Sequence, residues 1–165
     1  MVTSFGESHG PRVGIVIDGC PAGLELVADE IQRELQRRQP SDEVFSTQRR
    51  EPDQVEITSG VFNGHTTGAP ILLSVPNLDT RSEWYEERKY TPRPGQADLV
   101  ARIKYGGYQD YRGGGRFSAR ITPGFVAAGA VAKKLISTIG IGAYAHTVEI
   151  AGIRARKAPI EEEAK

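Results

Sequence analysis

The chain has 165 residues, room for one ordinary domain or a piece of a larger one. Lys and Arg number 21 and are matched by 21 Asp and Glu, so the formal net charge is zero, which excludes a globally basic nucleic-acid binder and an acidic disordered tail. Hydrophobic residues make up 38%, enough for a thin core, and the 19 glycines exceed the typical ~7% with no Gly-X-Y period. The glycine excess points to tight loops or close backbone approach. The single cysteine, Cys20, excludes an internal disulfide and fits a reducing, cytoplasmic setting. The longest apolar run, Phe125 to Ala132, is far short of the ~20 residues of a membrane span, and Met1 to Glu7 shows no secretory pattern. His9, His65 and His146 have no metal-site spacing.

In chain order, Val13 to Ile17 reads as a buried strand closed by the turn-like Asp18 to Gly23. Ala28 to Arg38 reads as a helix, with Ile31 and Leu35 on its apolar face, Arg37 and Arg38 at its C-terminal end, and Pro40 as its stop. Val55, Ile57, Ser59 and Val61 alternate, and Pro70 to Val75 is apolar. With Asn63-Gly64 between them, this region predicts two strands and a long turn. Residues 76–97 are polar and interrupted by Pro76, Pro92 and Pro94, as in a loop. Asp98 to Lys104 predicts a short helix with Leu99 and Ile103 on one side, and Gly106 to Gly115 a glycine-rich loop. Thr122 as N-cap, Pro123 at the first helical position and Gly140 as stop frame a long helix. Its expected buried face is Phe125, Ala128, Val131, Leu135, Ile136 and Ile139. Ile141 to Ile150 reads as a strand, and Pro159 to Lys165 as the start of a helix. The mixture argues α+β.

Charge is neutral overall but not locally. From Arg88 to Arg120 there are eight basic residues against Asp98 and Asp110. Arginine grips phosphate or carboxylate with paired hydrogen bonds, and glycine runs offer backbone N–H groups. Arg112-Gly113-Gly114-Gly115-Arg116 therefore suggests an anion site; the plainer reading is a solvated basic face beside a loop. The segment is neither a Rossmann nor a P-loop motif. Arg37, Arg38, Arg49 and Arg50 form a second basic cluster, for which the helix dipole is an alternative account. In Gly6-Glu7-Ser8-His9-Gly10 an acid, a hydroxyl and an imidazole lie between glycines, and His9 can exchange a proton near neutrality. A structural histidine is the competing reading. His65 reads as a turn residue and His146 as a strand residue, and nothing beside Cys20 suggests an activated thiol.

These motifs, in this order, resemble the chorismate synthase family. The resemblance is carried by Thr3 to Gly10, Leu35-Gln36-Arg37-Arg38, Thr47 to Val55, Ser59 to Gly64, Thr66 to Ile71, Arg93-Pro94-Gly95-Gln96-Ala97-Asp98, Lys104-Tyr105-Gly106 and Asp110 to Arg120. It implies a β-α-β sandwich, generally a homotetramer, acting as a carbon–oxygen lyase in aromatic amino-acid biosynthesis. The implied reaction converts 5-enolpyruvylshikimate 3-phosphate to chorismate by 1,4-elimination of phosphate, with reduced FMN and no net redox change. It further implies FMN contacts at Arg116, Phe117 and Ser118, and substrate contacts at Ser8, His9, Arg38, Arg49, Arg93 and Arg120. The resemblance also implies that His9 gives the departing phosphate its proton, and Arg38 matches a family position associated with NADPH.

The sequence departs from the family pattern in several places. Gln96 stands where the family has a histidine assigned to reduced FMN; an amide hydrogen-bonds but does not transfer a proton near neutrality. Family chains are more than twice this length, so residues 1–165 correspond to the N-terminal portion of a single domain, with a second half beyond it. Many members carry further residues before the Gly-Glu-Ser-His-Gly motif. Val44 and Phe117 stand where other members have a basic residue and a serine. A free-standing, non-catalytic flavin- or anion-binding module is the alternative. A single-stranded RNA binder using the Arg-Gly-Gly-Gly-Arg run with Tyr105, Tyr108 and Tyr111 is disfavoured by zero net charge and the lack of repeated units.

Overall fold

The computed structural model describes residues 1–40 and 49–155. The expectations for Val44 and for a helix starting at Pro159 lie outside the described residues. The backbone falls into two units, Met1–Ala132 and Lys133–Lys165.

The first unit is built on one antiparallel sheet of four strands: β1 (Val2–Gly6), β2 (Arg12–Ile17), β3 (Glu56–Ser59) and β6 (Ile71–Pro76), in the order β1-β2-β6-β3. The apolar strand expected at Val13 to Ile17 is central. Its Val13 and Ile15 lie opposite Val75 and Leu73, and all four are buried. Strand β1 did not stand out in the sequence, because Val2-Thr3-Ser4-Phe5 has little apolar content; as an edge strand it needs little.

Between β3 and β6 the sequence expectation is corrected. Gly60 breaks the alternation, and β4 (Val61–Phe62) pairs with β5 (His65–Thr66) as a separate hairpin. Asn63 and Gly64 are its two-residue turn, with φ of 49° and 74°, the positive pair favoured in tight hairpins. His65 therefore begins a strand instead of sitting in the turn.

Helix α1 (Ala28–Arg38) has the predicted bounds, and Ile31 and Leu35 are fully buried. Burying each is worth about 1.5–3 kcal/mol. The stretch 76–97 is not all loop, since Glu83–Glu87 forms a short helix, α2. Helix α3 (Asp98–Lys104) forms as expected, but Leu99 and Ile103 are exposed and Ala101 is its buried residue.

Helix α4 (Thr122–Ser137) corrects two expectations. Thr122 is its first residue, following a 3-10 turn at Ala119–Ile121, and its hydroxyl donates to the Ala119 carbonyl (2.7 Å) instead of capping. Its buried residues are Pro123, Gly124, Ala127 and Val131, while Phe125 is exposed. Small residues bury here because the helix backbone comes right against the sheet. A Cβ on Gly124 would lie 2.8 Å from the carbonyl oxygen of Gly14 in β2.

In the second unit, Ile139 is exposed and lies beyond α4. Of the strand expected at Ile141 to Ile150 only β7 (Glu149–Ile150) forms, paired with β8 (Ile153–Arg154). The preceding residues find no ladder partner among the described residues, and His146 is exposed coil.

The α4 contact yields a paired test. Gly124→Ala forces a carbonyl and a methyl apart and should destabilise the protein by about 1–3 kcal/mol. Gly129→Ala, in the same helix with nothing within 4 Å of its Cβ, should be neutral or stabilising by up to about 1 kcal/mol. Urea unfolding of the two variants measures both.

Candidate functional site

Ser8 and His9 lie in the loop joining β1 to β2, and that loop is clamped from below. Asn77, just past β6, donates through its side chain to the carbonyls of Glu7 (3.0 Å) and Gly10 (2.7 Å). Its side-chain oxygen accepts from Nε of Arg120 (2.7 Å). Arg120 is buried and also donates to the Pro76 carbonyl (3.0 Å) and to Asp53. Asp53 is only 1% exposed and takes a second guanidinium, that of Arg38 (3.1 Å). Arg38 reaches Thr122 and Ala119 as well. Two arginines on sequence-distant segments are thus held by one buried carboxylate.

Above this network Arg49 donates to Ser8 through Nη1 to the hydroxyl and Nη2 to the carbonyl, both at 3.0 Å. Its other edge grips Glu51 (2.9 and 2.7 Å). Burial pushes the Glu51 carboxyl up, but the Leu78 amide, Arg49, the charge of Arg120 and the Asp79 amide reverse this and hold it below the ordinary value. Nδ1 of His9 lies 2.9 Å from Oγ of Ser82, and the Tyr85 ring stands edge-on to the imidazole with centroids 5.1 Å apart. His9 titrates below its ordinary value, first because burial disfavours the cation, then because Arg49 and Arg112 repel it; Asp110 opposes.

Gly113, Gly114 and Gly115 all have positive φ, at 58°, 84° and 52°. Gly113 also needs the absence of a side chain, since a Cβ there would overlap the His9 ring. The loop divides two cavities. One, of about 310 Å³, is lined by Ser8, His9, Arg49, Asp79, Arg81, Tyr85, Gly113 and Ser118. The other, of about 370 Å³, has an aromatic wall of Tyr105, Tyr108, Tyr111 and Phe117, with Glu7, Asp98, Gln109, Gly114 and Arg116.

Three further arginines lie in or beside the loop. Arg112 takes Asp110 with two bonds (2.8 and 2.9 Å). Arg116 ties the loop to β1 through the carbonyls of Gly6 (2.7 Å) and Ser4 (3.2 Å) and the Ser4 hydroxyl (2.7 Å). Arg93 grips Asp98 (2.7 and 2.9 Å), lies over Tyr85 and comes close to Gly114. Ser118 accepts from the Arg120 amide (3.2 Å).

A family model, chorismate synthase, matches residues 1–165. The chain belongs to the chorismate synthase family. A chorismate synthase of Dehalococcoides mccartyi is 56% identical over 94% of this chain and 43% of its own length. One of Methanocella arvoryzae is 55% identical over 98% of this chain and 43% of its own. A crystal structure titled chorismate synthase superposes with a TM-score of 0.62 at 38% identity, covering 86% of this chain and 35% of that one. The chain therefore spans less than half the length of the curated relatives it matches.

Of the site positions expected from the sequence, Ser8, His9, Arg49 and Ser118 meet on one cavity, while Arg116 and Phe117 line the other. Arg93 abuts the glycine loop between them. Arg38 and Arg120 turn to Asp53 instead. Gln96 is exposed, in the turn before α3, and lines neither cavity. The sequence reading missed Ser82, Tyr85, Asn77, Asp53 and Glu51. For Ser82 a signal was present, since Ser before Glu83-Trp84-Tyr85-Glu86 is a helix start, but the surrounding prolines masked it. Among the described residues no group of three or more His, Cys, Asp or Glu could hold a metal, and burial pushes the Cys20 thiol up, which leaves it inert.

The His9 environment fixes a pH dependence. With its folded value below the ordinary 6.5, the folded protein binds fewer protons than the unfolded chain in that window. The stabilising effect of a neutral His9 is therefore complete above pH 6.5 and is lost as pH falls towards the folded value. Stability of His9→Gln relative to the parent should rise as pH is lowered from 7.5 to 5. Denaturant unfolding at several pH values measures it, and parallel profiles would contradict the assignment.

Proposed function

We propose that this chain is the N-terminal portion of a chorismate synthase domain. The complete protein would convert 5-enolpyruvylshikimate 3-phosphate to chorismate by 1,4-elimination of phosphate. The observation that carries the reading is the meeting of Ser8, His9 and Arg49 on one cavity, with Gly113 against the imidazole, in a chain of this family.

The second cavity fits reduced FMN. It is walled by aromatic rings, flanked by Arg116, and lined in part by Gln109. An aromatic wall of this kind suits a flat heteroaromatic ring. Arg116 and Phe117 would hold the cofactor, together with residues of the other half, while Ser118, which the family resemblance gives the same role, lines the His9 cavity instead. When bound, reduced FMN supplies an electron-rich partner to a reaction with no net redox change.

The chain's own residues do the rest. Arg49 holds Ser8 by hydroxyl and carbonyl, which fixes the backbone beside the cavity. Arg49 and Arg112 place positive charge near His9. Burial first, and then these two charges, hold the affinity of His9 for a proton below its ordinary value; a phosphate dianion would offset the field of the arginines and raise that affinity. Nδ1 faces Ser82, so Nε2 is the atom that would pass the proton to the departing phosphate.

The two buried-network arginines are read differently from their family matches. All three guanidinium nitrogens of Arg120 are engaged within the protein, so its support for Asn77 is the better-grounded role. Support for NADPH rests on the family position of Arg38 alone, whose guanidinium is committed to Asp53, Thr122 and Ala119. The homotetramer and the cytoplasmic location are likewise supported by the family, and no helix among the described residues is long and apolar enough to cross a membrane.

Anaerobic turnover of the complete protein with chemically reduced FMN tests the reading. General-acid assistance contributes ~10²–10⁴-fold, so His9→Ala should lose that much, about 3–5 kcal/mol of barrier. Undiminished turnover would remove His9 from the mechanism. Gln96 lines neither cavity, so a flavin-side role needs residues of the other half to bring the cofactor to it; on that reading Gln96→His should raise turnover in the same assay about tenfold, ~1.4 kcal/mol, with affinities little changed. Equal rates would show that a histidine's proton is dispensable at this position.

A further inference from the structure

We propose that Ser82 is the positioning residue for His9, holding the imidazole so that Nε2 and not a ring carbon serves the cavity. The inference rests on the reading of His9 as proton donor and adds a residue that no family match supplied. The first observation is a bond not made. Ser82 stands at the N-cap of α2, where a serine hydroxyl ordinarily accepts from a first-turn amide. Here it makes no capping bond, and its backbone, at φ −95° and ψ −16°, is already helical. Its Oγ instead lies 2.9 Å from Nδ1 of a histidine 73 residues away.

The other contacts of the ring make that bond decisive. Tyr85, three residues along, meets the imidazole edge-on at an interplanar angle of 81°. On the far side the Cδ2–Nε2 edge lies against Gly113, where a Cβ would come within 2.5 Å of Nε2. A half-turn about the bond to the ring exchanges Nδ1 with Cδ2 and Nε2 with Cε1. The aromatic edge of Tyr85 and the bare backbone of Gly113 discriminate little between nitrogen and carbon at these positions. The Ser82 hydroxyl does discriminate, because only Nδ1 can share a proton with it. It thus selects the orientation in which a nitrogen faces the cavity, the role a third group plays in orienting a catalytic histidine.

The test uses the complete enzyme under anaerobic conditions with reduced FMN and 5-enolpyruvylshikimate 3-phosphate. Ser82→Ala should lower kcat about tenfold and leave KM within about twofold, the pattern of a group acting through chemistry and not binding. Ser82→Thr, which keeps the hydroxyl, should restore most of the rate. In a His9→Ala background Ser82→Ala should change nothing further. An unchanged kcat for Ser82→Ala beside an impaired His9→Ala would overturn the role of Ser82 alone. A loss of the same size in the His9→Ala background would also overturn it, by assigning Ser82 to the fold of α2. Wild-type turnover by His9→Ala would overturn the reading of His9, and this inference with it.

Discussion

The site depends on one buried carboxylate. Asp53, at φ 47° and almost wholly inaccessible, binds Arg120 and Arg38, and its carbonyl accepts from Gln32 of α1 (3.1 Å). Arg120 passes the constraint to Asn77, and Asn77 to both ends of the Glu7–Gly10 turn. Breaking a buried pair by removing one partner typically costs about 3–5 kcal/mol, because the other charge is left without compensation. The backbone that carries Ser8 and His9 is therefore tied to the buried network at both ends, although it is a loop.

The same logic changes how the arginines are read. Counted along the sequence, the window from Arg88 to Arg120 is strongly basic. In space Arg93 pairs with Asp98, Arg112 with Asp110 and Arg120 with Asp53, while outside the window Arg49 pairs with Glu51 and Arg38 with Asp53. The local field is weaker than the count suggests, but the guanidiniums are already oriented. A site that must stabilise a leaving anion gains more from fixed dipoles and charges than from a larger number of mobile ones.

Much of the fold was legible because it rests on local signals. Ile31 and Leu35 four apart, with charges sorted by the helix dipole, specify α1, and the apolar run at Val13 to Ile17 specifies a central strand. What failed were inferences about faces. Phe125 looked like a core residue of α4, yet the helix buries Gly124 and Ala127, because contact with the Gly14 carbonyl leaves no room for bulk. For Ile141 to Ile150, apolar content suggested a strand, but strand formation needs a partner that local sequence cannot announce. At the site, motif positions such as Ser8, His9 and Arg49 were legible. Asp53, Asn77 and Ser82 were not, since their importance comes from contacts across 15 to 73 residues of sequence.

The glycine run shows why these levels cannot be separated. Gly113 lies on the His9 cavity and Gly114 on the aromatic one, so adjacent residues of the run serve both. Three successive positive φ values are needed to thread it, and Arg116 anchors its far end to β1. A side chain at position 113 would push the imidazole from Ser82 and Tyr85. Alanine at 115 would instead meet the Asp110 carbonyl, the backbone of the residue that orients Arg112. A glycine content that looked like mere loop composition is thus a packing requirement. It places adjacent residues of one loop on two cavities, the one that holds His9 and the aromatic one.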